Sequence, residues 1–149
     1  AVKSTIRVRV PSWAAKSMSV KVNGKNAGSG KPGTYITLSK TWNTGDIISF
    51  ELPMAFKTTV YKGLEEGYND NSHYIVEYGP IVMAAVNQKN QQSKIGLKLK
   101  DKKFEKNLSP IAGKPLFFSI NGNDDVVLRP YFELQDELFT CYPSITFLK

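Results

Sequence analysis

Thr5-Ile6-Arg7-Val8-Arg9-Val10 alternates polar and apolar side chains at every step. A period of two sends successive side chains to opposite sides of a strand, so Ile6, Val8 and Val10 are assigned to a buried face and Thr5, Arg7 and Arg9 to a wet one. Pro11 has no N–H to offer a ladder and ends the strand. The same pattern returns where Val20 and Val22 bracket Lys21, and Asn23-Gly24 follows, a pair that tolerates the positive φ of a tight hairpin turn. Ser29-Gly30-Lys31-Pro32-Gly33 reads as a loop, and Tyr35, Ile36 and Leu38 as a strand ending near Trp42. Asn43-Thr44-Gly45-Asp46 is a second turn, expected to join that strand to Ile47–Leu52 as a hairpin.

Further along, Val60-Tyr61 is expected to open a strand, and residues 63–72 to form an exposed loop. Tyr74–Tyr78 and Ile81–Val86 flank Gly79-Pro80, and the second run lacks alternation, which predicts a strand covered on both sides. Residues 87–93 turn to Asn, Gln and Lys, the composition of a linker or long connection, and a boundary is placed there. Beyond it, Ile95, Leu97 and Leu99 alternate with Gly96, Lys98 and Lys100. Leu116–Ile120 and Val126–Leu128 flank the turn Asn121-Gly122-Asn123-Asp124, and the last strands are Phe139–Tyr142 and Ile145–Leu148. Tyr131–Leu138 has room for one helical turn. Many short strands without intervening helical periods predict an all-β fold, an antiparallel β-sandwich of jelly-roll-like type in one or two small units: residues 1–87, and residues 88–149.

The chain of 149 residues carries a net charge of +7, unevenly spread. Lys3, Arg7, Arg9, Lys16, Lys21, Lys25, Lys31 and Lys40 all precede the first acid, Asp46. No aromatic-and-basic motif of a nucleic-acid module accompanies them, so no nucleic-acid partner is expected. No apolar run approaches the roughly 20 residues of a membrane-crossing helix, and no membrane partner is expected.

Chemistry-bearing residues are few. Cys141 is the one cysteine, so neither an internal disulfide nor a multi-thiolate metal site is expected. It sits in an apolar run without a neighbouring cation to stabilise a thiolate, which assigns it to packing rather than attack. Glycoside cleavage usually needs two carboxyl groups across a cleft. Glu65 and Glu66 lie in a loop beside Gly67, and adjacent Asp136 and Glu137 would face opposite sides of a strand, so neither pair is assigned that role. His73 has no mapped partner and is read as a loop residue. No catalytic, cofactor-binding or metal-binding residue is assigned. The alternative function is a carbohydrate-binding module, with Trp13, Tyr35, Trp42 and Tyr68 stacking on the rings of a plant-type glycan.

The order of segments carries a resemblance. Ile6–Ala14, Val20-Lys21-Val22-Asn23-Gly24-Lys25, Tyr35–Leu38, Trp42-Asn43-Thr44-Gly45-Asp46 and Leu52-Pro53-Met54 form a first block. Tyr78–Ala85 forms a second, and Leu128–Tyr142 a third. In that order they resemble the post-catalytic region of glycoside hydrolase family 127, the β-L-arabinofuranosidase group. The third block departs from the family pattern at Gln135, where relatives carry a His, and at Leu138-Phe139. In that family a cysteine nucleophile works beside zinc within an (α/α)₆ barrel, and no segment here matches that barrel. The resemblance therefore implies a non-catalytic accessory sandwich, without cofactor, whose partner is the N-terminal catalytic barrel of its parent. It further implies that the first block lacks its opening strands, leaving an unpaired edge for a neighbouring segment, and that the parent is periplasmic or secreted.

Overall fold

The computed structural model describes residues 1–61, 73–89 and 95–148. They form two compact units, Ala1–Ala55 and Phe56–Lys149. The boundary expected at residues 87–88 therefore falls inside the second unit. The strand that ends there hydrogen-bonds to two strands from the far side of the Asn- and Gln-rich stretch, so of the two readings, linker or long connection, the strand pairing favours the second.

In the first unit, β1 (Val2–Arg9) pairs antiparallel with β4 (Tyr35–Trp42), and β2 (Met18–Val22) sits between β3 (Lys25–Gly30) and β5 (Ile48–Phe50). Ile36 and Leu38 of one sheet and Met18 and Val20 of the other are buried in one cluster with Val10 and Ala14, and Trp13, Val22 and Trp42 pack against it. The period-two reading thus places the core. Burial along β1 is graded, however: Val10 is fully buried and Val8 partly, while Ile6 keeps 37% of its surface. Among the described residues β1 pairs along one side only, with β4.

Two sequence expectations fail here for physical reasons. Ser29 and Gly30, read as the start of a loop, instead close a strand, Lys25–Gly30, that is poor in β-formers. The Asn23-Gly24 turn (φ +50° and +78°) pins it to β2, and Gly30 leaves room for Ile36, whose Cγ1 would stand 2.8 Å from a Cβ at that position. The Asn43–Asp46 turn does not make a hairpin: β4 pairs with β1 and β5 with β2, so it carries the chain from one sheet to the other.

The second unit is built on one large antiparallel sheet. Its order is β10 (Leu108–Pro110), β11 (Phe118–Ile120), β12 (Val126–Pro130), β8 (Ile81–Asn87), β7 (Tyr74–Tyr78), β6 (Phe56–Val60). β13 (Phe139–Thr140) joins β8 beyond the end of β7 on the same edge. Residues 56–60 form β6, so Val60 closes a strand rather than opening one. A second layer pairs β9 (Gly96–Leu99) with β14 (Ser144–Phe147) in parallel, an exception to the antiparallel expectation. Leu97, Leu99 and Ile145 of that layer pack on Val76, Met83, Ala85, Ile120 and Leu128 of the large sheet, and fully burying each such Leu or Ile contributes on the order of 1.5–3 kcal/mol. Met83, Ala84, Ala85 and Val86 are all buried, as the unbroken apolar run of β8 predicts, but at its start Val82 keeps 38% of its surface. Two 3₁₀ turns complete the unit, η1 (Phe104–Asn107) and η2 (Tyr131–Glu133), the latter against β8.

Asn107 is a buried polar residue at the base of this core. Its Oδ1 accepts the N–H groups of Lys100 (3.1 Å) and Asp101 (3.0 Å), and its Nδ2 donates to the carbonyls of Asp101 (2.9 Å) and Lys103 (3.2 Å). It thereby substitutes for the ladder where β9 ends and the chain must reverse. Asn107→Ala strands these backbone groups, and we expect a loss of about 1–3 kcal/mol or more in urea unfolding, with the loop 100–107 losing amide protection first.

Candidate functional site

The motif residues of the first unit converge on one carboxylate. Asp46 Oδ2 accepts the Asn43 N–H and the Lys40 ammonium, both at 3.0 Å, and Oδ1 accepts Asn23 Nδ2 at 2.7 Å. Asn23 Oδ1 in turn accepts the Ile47 N–H at 2.9 Å, and Asn23 N–H donates to the Ile47 carbonyl at 2.9 Å. Two turns 23 residues apart are thus clasped side chain to side chain. The Asn43 N–H, then Asn23, then Lys40 hold the Asp46 carboxyl well below its ordinary 3.8, at about 2. Read from sequence, Asn23-Gly24 and Gly45-Asp46 are independent turns; no local period reports a contact across that separation. The arrangement fixes backbone and presents no reactive group.

Of the aromatic residues considered for sugar stacking, Trp13 and Trp42 are half-buried against the core, and Tyr35 is 51% exposed. Tyr35 and Trp42 lie at opposite ends of β4, seven positions apart and hence on opposite faces. Cations already stand over both rings, Arg7 Cζ at 4.6 Å from the Tyr35 centroid and Lys40 Nζ at 4.8 Å from that of Trp42. Trp42 Nε1 also donates to the Ser4 carbonyl at 3.2 Å. The structure does not assemble these side chains into one platform. Tyr68, Glu65 and Glu66 lie outside the described residues.

In the second unit an open groove of about 520 Å³ is lined by Val82, Tyr131, Phe139, Thr140, Cys141 and Tyr142. Cys141 is half-buried rather than a core residue, and burial pushes its thiol above the ordinary 9.0, so it stays protonated at neutral pH. Glu137 pairs with Arg129, and the guanidinium, helped by the Gln135 N–H, holds its carboxyl at about 2. Asp136 is exposed and apart from that pair. His73 forms a backbone bridge to Ser144, and its carbonyl accepts the Tyr61 N–H at 2.8 Å, a place in the scaffold that single-residue reading missed. Among the described residues no three His, Cys, Asp or Glu side chains gather to hold a metal.

Residues 1–54 match the family model described as Beta-L-arabinofuranosidase, GH127 middle domain. The first unit is similar to that domain over nearly its whole length. The clasp and the turns around it fall within the matched stretch, while Tyr78–Ala85 and Leu128–Tyr142 lie beyond it. No curated protein matches the chain in sequence. Two solved structures share the fold at a TM-score of 0.62. One is named a glycoside hydrolase, 16% identical, with 98% of this chain and 28% of the other aligned. Another is named a GH127 beta-arabinofuranosidase, 17% identical, with 97% and 28% aligned. The chain thus spans 28% of the length of each, and at these identities the likeness is one of fold.

Two outcomes are expected for the clasp of the first unit. Because the Asp46 carboxyl is lower in the folded state than its ordinary 3.8, its contribution is complete above about pH 4 and is lost as pH falls through about 2. Thermal melts of the first unit between pH 5 and 2 should show that loss, and Asp46→Asn should flatten it. Asn23→Gly keeps the positive φ but removes the side chain, and about 0.5–1.5 kcal/mol per lost bond should disappear in denaturant unfolding.

Proposed function

We propose that the chain is a non-catalytic accessory region of a GH127-type glycoside hydrolase, bracing a catalytic barrel supplied by another part of its parent protein. The match of residues 1–54 to the GH127 middle domain carries this reading. The ionisable groups support it. A general acid must hold a proton near neutral pH, whereas the Asp46 and Glu137 carboxyls sit at about 2, and the Cys141 thiol is shifted away from the thiolate a nucleophile requires.

Exposed apolar surface supports the bracing role. On the first unit Val2, Ile6, Ile47, Phe50 and Leu52 remain exposed, and on the second the segment Tyr131–Tyr142 leaves Tyr131, Phe132, Leu138 and Tyr142 open, Phe132 at 65%. Apolar side chains left open in this way are surface that docking on a larger body would cover. Purified chain should release nothing from an aryl β-L-arabinofuranoside, and it should co-elute one-to-one with the separately expressed catalytic part of its parent in gel filtration. Turnover by the chain alone, or independent elution of the two pieces, would sink the proposal.

A further inference from the structure

Alternate residues of paired strands share a face, so the odd-numbered positions of β1 and β4 lie together on one side of their ribbon. Lys3, Thr5, Arg7 and Arg9 stand opposite Thr41, Ser39, Thr37 and Tyr35 in register. All eight are exposed. No acid occurs on this face, and among the described residues none of its three cations is ion-paired to a carboxylate. The even-numbered face of β4 buries Ile36 and Leu38, which fixes the odd face outward.

We propose that this face binds an extended carboxylate-bearing polysaccharide of the polyuronate class. With a rise of about 3.4 Å per residue, Lys3 and Arg7 stand roughly 13 Å apart along the strand and Arg7 and Arg9 roughly 7 Å, a straight array suited to repeating charges. Guanidinium forks pair carboxylates bidentately. Arg7 is steadied over the Tyr35 ring without being neutralised. Between the cations runs a row of hydroxyls, Thr5 and Ser39 already hydrogen-bonded to each other at 2.9 Å with Thr37 and Thr41 beside them, matching the donors and acceptors of a polyhydroxylated chain. Nucleic acid is disfavoured because single-stranded recognition needs open aromatic faces for base stacking, and Tyr35, the aromatic on this face, is capped by Arg7.

The inference goes beyond the accessory reading, and its failure leaves that reading intact. The test is native affinity electrophoresis of the whole chain in gels containing polygalacturonate or neutral arabinan. Two variants of equal charge are compared, Arg7→Ser/Arg9→Ser and Lys16→Ser/Lys25→Ser, the second changing exposed cations off the face. Retardation by polygalacturonate alone, lost in the arginine variant and kept in the lysine variant, is the expected result. Equal loss in both variants, or retardation by arabinan that survives the arginine change, overturns it. NMR titration of the unaltered chain with trigalacturonate needs no variant: shifts should gather at residues 3–9 and 35–41. Shifts elsewhere, no shifts, or tighter binding of an oligothymidylate at the same residues also overturn it.

Discussion

The Asp46 carboxylate does for the first unit what a longer ladder does in larger sandwiches. It receives hydrogen bonds from Asn23, Lys40 and the Asn43 backbone, so the turn leaving one sheet is tied to the hairpin end of the other. Without that tie, β5 has three residues with which to hold its register on β2, and a one-residue slip would turn half-buried Ile48 away from the core. The charge-assisted bonds also explain why this sheet-to-sheet turn needs Asp and not merely a turn former. Gly45, at φ +91°, lets the chain bend tightly enough to aim Asp46 back at Asn43.

The second unit meets the same problem, chain reversal beside a core, with a neutral amide. Asn107 saturates the backbone groups left over where β9 ends, and it is buried while doing so. The two solutions differ in pH response. A depressed carboxylate loosens in acid, whereas an amide does not titrate, so of these two devices acid acts first on that of the first unit.

How much of this was legible follows from range. β1, β2, β4 and β8 were readable because burial imposes a period, or its absence, on neighbouring residues. Lys25–Gly30 was not, because its place depends on a hairpin turn before it and on Ile36 across the core rather than on its own propensity. The parallel pairing of β9 with β14 joins segments nearly fifty residues apart, Gly96 to Ser144, and leaves no local trace. The unit boundary was misplaced for the same reason, since β8 and β12 pair across the polar stretch that looked like a linker. At the candidate sites, the clasp and the separation of Tyr35 from Trp42 needed coordinates.

These constraints bear on where recognition can reside. Side chains with chemical reach are spent on scaffold: Asp46 on the clasp, Glu137 on Arg129 and Asp125 on Lys89. Among the described residues two kinds of open surface stand out, apolar side chains on both units and an acid-free face of hydroxyls and cations on β1 and β4. Apolar patches gain by leaving water against a shaped partner. A hydrated cationic face gains little from dry burial, since desolvating unpaired charge is costly. The two surfaces therefore suit different occupants, a protein body for the first and a solvated polyanion for the second. On β1 both kinds occur on one strand, Val2 and Ile6 on one set of alternate positions and Lys3, Arg7 and Arg9 on the other.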